Sequence, residues 1–246
     1  PWVFNALALT YMDKSDYANA VFTYQDLLKW TEDPKLRKSA ERHLQSALFA
    51  QEAILHPVEF NPKRLPLDLD SKTSAYLPCL NVAGDVLVFT ARTSGQEDLF
   101  AAFKKDDRWH DCAPIEGLDT NENEGAETIS ADGKTIYFTK CGSKDSFGSC
   151  DIYFTVLDAN GIWSLPKNLA APINTTYSES QPSLSPDGNT LYFTSNRPNG
   201  YGRSDIWYSK RKGKTWTEPR NLGPKINTEG EDQGPHMHFD GHTFYF

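Results

Sequence analysis

The sequence predicts an α+β chain of two domains: a helical repeat comes first, and an incomplete β-propeller follows. Three observations carry this. Apolar residues recur at helical spacing through the first 55 residues. From Ser74 onward a short apolar run, a tight turn, a β-rich run and a second β-rich run opened by Asp recur with a period of about fifty residues. Between the two lie Pro57, Pro62 and Pro66, which break any helix and mark the junction. The boundaries read as a helical domain at 1–56, a linker at 57–73 and a propeller at 74–246.

Of the 246 residues, 38% are hydrophobic and 13% aromatic, enough for one large core or two smaller ones. The net charge is −8. This argues against nucleic acid and against anionic membrane surfaces as partners. No apolar run reaches transmembrane length, so no membrane span is expected. Pro1 opens directly on helical pattern without a leader, so the chain reads as a mature protein or an excised piece.

In the helical part, Leu7, Ala8, Tyr11, Ala20, Tyr24 and Leu27 place one apolar face on each of two helices. Lys14 to Tyr17 form the turn between them. A third helix from Pro34 to about Leu55 carries Leu36, Ala40, Leu44, Ala47 and Ile54 on one stripe. A single repeat cannot bury its own face, so further helices or the next domain are expected against it.

In the second part the landmarks keep step. Gly84, Gly133, Gly188 and Gly241 are 49, 55 and 53 residues apart. Asp98, Asp151 and Asp205 are 53 and 54 apart, and Trp109, Trp163 and Trp216 are 54 and 53 apart. Such a period, with about four short strands per copy, is that of a β-propeller. The blades fall near 74–117, 123–173, 178–227 and, incomplete, 230–246. Each has an inner strand, a tight turn, a nearly continuous apolar second strand, a third strand opened by Asp and a fourth carrying Trp. Three and a third blades cannot close a ring, so about six are expected in the complete protein. Residues 58–65 echo the segments that trail the outer strands and are expected to supply the closing strand of the last blade.

Cys141 and Cys150 flank the loop between two strands, where a disulfide and a pair of free thiols are both open. A disulfide there would add about 2 kcal/mol. Cys79, on an innermost strand, and Cys112, just past an outermost one, are expected to be too far apart to bridge.

The helical part resembles a tetratricopeptide repeat, with Ala8, Tyr11, Ala20 and Pro34 in the places of its small residue, Tyr, Ala and Pro. The run Ser185 to Ser195 followed by Asp205 to Trp207 resembles the PD40 (WD40-like) repeat of TolB-type propellers. The second copy has Ala131 for Pro, and the first has Ala83-Gly84 for Asp-Gly. Taken with residues 41–54 and 56–62, the chain resembles tetratricopeptide–propeller proteins of Bacteroidetes envelopes. That resemblance implies a periplasmic, outer-membrane-associated scaffold of the OmpA-family type, whose partners are other envelope or secretion-system proteins, type IX secretion among them. Peptidoglycan would be bound only through an OmpA-like domain absent from this chain.

No nucleophile elbow, His-Glu-x-x-His pair, P-loop or Cys-x-x-Cys occurs, so no catalytic residue, cofactor or metal ligand is assigned. His236, His238 and His242 could share a metal, but His238 takes the repeat position of Ser185 and His242 flanks a turn. The acidic stretches Asp119, Glu122, Glu124, Glu127 and Glu229, Glu231, Asp232 lack calcium-loop spacing and read as solvated loops. The recurring Asp residues read as acceptors for backbone N–H groups at a turn, and the Trp residues as blade packing.

Recognition is expected on the end of the ring that carries the long, divergent loops. These are Arg92–Glu97, Cys141–Cys150 and Asn196–Ser204, together with the blade connections Asp119–Glu124, Asn174–Glu179 and Asn227–Asp232. Tyr177, Arg197, Tyr201 and Arg203 are the candidate protein-binding side chains there. Two alternatives stand beside the scaffold: a propeller that binds a glycan or peptidoglycan fragment, and the accessory domain of a hydrolase encoded beyond Phe246.

Overall fold

The computed structural model describes residues 1–69, 73–93, 95–118 and 120–246. They form two compact units, Pro1–Arg64 and Leu65–Phe246.

The first unit holds helices α1 (Trp2–Asp13), α2 (Tyr17–Trp30) and α3 (Pro34–Ala53). Asp16 starts α2 by accepting the Asn19 N–H at 3.3 Å. Asp33 starts α3 by accepting from Lys35 and Leu36, with Pro34 in the first turn where its missing N–H costs nothing. Ala8, Ala20, Ala40 and Ala47 are fully buried, which lets the helices approach around Tyr24, Leu27 and Leu36. Two residues expected on the inner faces lie elsewhere. Leu7 and Ile54 are exposed. Ala8 and Tyr11, three apart, define the inward stripe of α1, and Leu7 stands about 100° round from Ala8. Trp2, Phe22, Trp30 and Phe49 also leave most of their surface uncovered.

The second unit consists of antiparallel sheets, each laid down in chain order. The first holds β1 (Ser74–Leu80), β2 (Val86–Thr93), β3 (Gln96–Lys105) and β4 (Arg108–Pro114). The second holds β5 (Asn123–Ile129), β6 (Thr135–Cys141), β7 (Cys150–Val156) and β8 (Lys167–Asn168). The third holds β9 (Glu179–Leu184), β10 (Thr190–Ser195), β11 (Asp205–Lys212), β12 (Thr215–Trp216) and β13 (Arg220–Asn221). β14 (His236–Met237) and β15 (Phe244–Tyr245) pair as a fourth. These are the blades of a β-propeller. In the first three sheets the second strands are largely buried on both faces, as apolar runs such as Ile136-Tyr137-Phe138 require.

The inner strands seam the blades. Each of β1, β5 and β9 carries a bulge at the same place, where Leu77, Ala126 and Gln181 take φ of 52°, 52° and 53°. A left-handed side-chain-bearing residue costs on the order of 1 kcal/mol, and the bulge turns its N–H out of the ladder toward the neighbour. The Ala126 N–H donates to Thr90 Oγ1 at 3.0 Å, and the Gln181 N–H donates to Thr139 Oγ1 at 2.9 Å. The strand position that follows holds Pro in three blades (Pro78, Pro182, Pro235), which needs no ladder donor there.

Two expectations about the outer edge need correction. In the first blade β4 is one run carrying Trp109, as expected, but in the second and third blades the outer strand is broken. Trp163 makes only an isolated bridge to Leu157, Trp216 lies in β12, and the edge resumes beyond Pro166 and Pro219 as β8 and β13. Proline has no N–H for the ladder, so the strand breaks there. Cys112 lies within β4 rather than beyond it, and both Cys79 and Cys112 are free thiols. Residues 58–65 pair with none of the sheets described, which leaves their expected pairing with a last blade untested. Leu67 and Leu69 pack on Leu87, Phe89 and Phe100 of the first blade. Residues 70–72 of the expected linker lie outside the described residues.

Candidate functional site

The long loops of the second and third blades leave the same ends of the strands, and one frame holds them; Arg92–Glu97, expected as a long loop of the first blade, instead lies largely in the ladder, where Arg92 faces Glu97 and Thr93 faces Gln96. Asp151 is fully buried at the start of β7. It accepts the Phe147 and Gly148 N–H groups at 2.8 and 3.0 Å and the Asn168 amide at 2.6 Å. Asp205 does the same at the start of β11. It accepts from the Tyr201 and Gly202 N–H groups at 2.5 and 2.9 Å and from the Asn221 amide at 2.6 Å. A second Asn completes each frame. Asn174 accepts the Ile152 N–H at 2.9 Å and donates to the Ile152 carbonyl at 2.8 Å; Asn227 does so for Ile206 at 2.8 and 2.9 Å. Each loop is therefore fixed by a buried carboxylate whose capacity is filled by donors. In the first blade Asp98 is buried and accepts from the Gln96 amide at 3.2 Å, but Pro114 and Thr120 stand where the Asn pair would be.

Glycine lets each loop lie directly on the next blade connection. A Cβ on Gly148 would collide with the Tyr177 carbonyl oxygen, and one on Gly202 with the Gly230 carbonyl oxygen. The third-blade loop is further pinned where the Arg203 N–H donates to that Gly230 carbonyl at 2.8 Å.

The fastenings differ between blades. Cys141 and Cys150, facing partners in the β6–β7 ladder, form a disulfide with an S–S distance of 2.03 Å. At the matching corner of the third blade stands Arg197. Its guanidinium donates to the Ile173 carbonyl at 2.6 Å, to Ser195 Oγ at 3.1 Å and to Glu179 Oε1 at 3.1 Å. It also lies over the rings of Phe193 and Trp207. Burial draws its pKa below the usual arginine value, and the Glu179 carboxylate opposes that shift. Glu179, with no exposed surface, also accepts from Thr175 and Ser195. Glu124 is its counterpart in the second blade, paired to Lys140 at 3.2 Å. Burial pushes the Glu124 carboxyl upward despite the Thr120 and Lys140 contacts.

Of the four candidate binding residues, three stand on the surface. Tyr177 and Tyr201 are 43% and 51% exposed, and Arg203 extends outward to meet Glu231 at 3.3 Å. Arg197 is spent inside the molecule, with only 10% of its side chain accessible, so it shapes the loop rather than offering itself to a partner. Phe147, exposed at the place in its blade that Tyr201 holds in the next, belongs with the surface set.

Two acids expected on solvated loops are buried. Glu124 sits in the ion pair just described, and Glu127 occupies the inner-strand position that is Pro in the other blades. Thr90 Oγ1 donates to Glu127 Oε2 at 2.8 Å, while Oε1 has no protein partner. Burial pushes this carboxyl up to about 8, against the Thr90 hydrogen bond, so it holds its proton at neutral pH. Asp119 and Ser94, both within the expected loop set, lie outside the described residues. Among the described residues no three His, Cys, Asp or Glu side chains gather to hold a metal, and His238 instead meets Asp240 at 3.2 Å.

No family model matches the chain, and no curated protein matches it. Among solved structures, TolB from Acinetobacter baumannii is similar at 16% identity with a TM-score of 0.48, over 72% of this chain and 38% of that one. A putative TolB from Agrobacterium tumefaciens is similar at 20% identity and 0.45, over 66% and 50%. A puromycin-hydrolyzing peptidase of Mycobacterium tuberculosis is similar at 13% identity and 0.43, over 64% and 24%. This chain thus spans half or less of the length of each of these proteins.

Proposed function

We propose that this chain is a non-catalytic scaffold of a bacterial envelope. It presents partner proteins with a tetratricopeptide-like helical surface and with the loop face of a propeller of about six blades. The reading rests on one observation above the others: the loops carrying Phe147, Tyr177, Tyr201 and Arg203 are held rigid by buried Asp and Asn side chains. Rigid loops bearing aromatic and Arg side chains bind with little ordering cost. The disulfide fits an oxidising compartment, so the periplasm is the proposed location. By its sequence resemblance the chain would work at the outer membrane, supporting type IX secretion or anchoring of the envelope. The exposed aromatic residues also favour a second reading, in which the loop face stacks against a glycan or peptidoglycan fragment.

Affinity purification from detergent-solubilised envelope tests the first reading. Triple replacement of Tyr177, Tyr201 and Arg203 by Ala is expected to lose a protein partner while the fold, followed by circular dichroism, stays intact. If the variant retains every partner and loses muropeptide binding instead, the glycan reading replaces it.

A further inference from the structure

The rim of the propeller carries a cleft between the second and third blades that none of the recognition loops reaches. Its volume is about 190 Å³, and Phe154, Leu169, Pro172 and Trp216 form apolar walls. Two cations, Arg211 and Lys214, stand at its edge. No acid lines it, although the chain as a whole carries −8.

Arg211 is held ready. Its Nε donates to the Gly188 carbonyl at 2.9 Å and its Nη2 donates to the Tyr137 hydroxyl of the neighbouring blade at 2.8 Å. Its guanidinium carbon lies 4.6 Å from the centre of the Trp216 ring. A guanidinium fixed on an aromatic face keeps N–H groups for a carboxylate and loses little freedom when it binds one. The repeat does not require this cation. The residue facing the outer Trp is Lys104 in the first blade, Leu157 in the second and Arg211 in the third. Lys104 is matched by Asp107 at 3.1 Å, whereas among the described residues no carboxylate pairs with Arg211 or Lys214. An unmatched cation pair at the mouth of an apolar cleft is what remains after the repeating architecture is subtracted.

We propose that this cleft docks an extended peptide segment of a partner protein, in which an acidic residue adjoins an apolar or aromatic one. The acid meets Arg211 and Lys214, and the apolar side chain enters between Phe154, Pro172 and Trp216. Charge complementarity selects the acid, and the size of the cleft limits it to about one large side chain.

A library of displayed random heptapeptides, panned on the immobilised protein, tests this. The expected result is enrichment of sequences pairing Asp or Glu with a neighbouring Leu, Phe, Tyr or Trp. A synthetic peptide from that set should shift the Trp216 indole N–H resonance, and replacing its acid by the amide should weaken it at least tenfold. Lys214→Gln and Arg211→Gln should each weaken it about as much. Arg211 also bonds Tyr137, so if its variant misfolds, Lys214→Gln carries the test alone. No enrichment, enrichment without an acid, tight binding by phosphate-bearing sugars but not by peptides, or binding unchanged in Lys214→Gln would each overturn the proposal.

Discussion

In the second blade the loop between the middle strands is shut by the Cys141–Cys150 bond, while in the third the same corner is held by Arg197, buried between Glu179 and the Ile173 carbonyl. Beneath both, Asp, two Asn and a Gly repeat with almost the same distances. The frame belongs to the repeat, and the fastening belongs to the blade. A covalent closure tolerates loss of its neighbours. An ion pair in a dry corner does not, because removing one partner strands the other charge. The third blade should therefore be the brittle one.

Arg197→Met is the change that strains this comparison hardest. It leaves the Glu179 carboxylate buried with only hydroxyl and N–H partners, and a loss of about 3–5 kcal/mol is expected in urea unfolding. Lys140→Met in the second blade should cost clearly less, because the Cys141–Cys150 bond still closes that corner. Equal losses would erase the distinction between the blades.

The next effect comes from the inner strands, where the second blade has Glu127 and the third Pro182. A carboxyl whose folded pKa is raised favours folding most at pH values below its unfolded pKa, and that contribution is lost as pH rises through the folded value of about 8. Stability should fall by on the order of 3 kcal/mol between pH 5 and pH 8. Glu127→Gln should flatten that slope and be the more stable protein at pH 8. A wild-type slope that survives the substitution would place the titrating group elsewhere.

Smaller differences follow from the frame itself. Asp205→Ala removes three hydrogen bonds and should cost about 2–3 kcal/mol. Asp151→Ala removes three as well but leaves its loop closed by the disulfide, so about 1–2 kcal/mol is expected. Dithiothreitol opens the same bond in both proteins, so each should fall by about 2 kcal/mol, with any further loss confined to Asp151→Ala, whose loop then keeps neither fastening.

Much of this frame could be read in the sequence. The period located Asp151 and Asp205, and their role as acceptors for turn N–H groups follows from a short acid opening a strand. The Asn pairs were equally visible, as Asn168-Leu169 with Ile173-Asn174 and Asn221-Leu222 with Ile226-Asn227, both 53 residues apart. So were Glu124, Glu179 and Asp232, which recur at the start of the inner strands. What periodicity cannot supply is the direction of a side chain that departs from the repeat. Arg197 looks like a surface loop residue until the path of residues 195–197 turns it inward under Glu179. Glu127 looks like one more acid in an acidic loop until the bulge at Ala126 places it on the inner strand against Thr90. The broken outer strands were legible only in hindsight, through Pro166 and Pro219.

The central claim is that the loop face, and not the tight-turn end, meets partner proteins. A photo-reactive phenylalanine analogue at Tyr177 or Tyr201, irradiated in the intact envelope, tests it most directly, with Asn189 in the Asp-Gly turn as the opposite-end control. The account predicts discrete protein adducts from positions 177 and 201 and none from 189. Adducts from 189 alone, or glycan in place of protein at the loop positions, would contradict it.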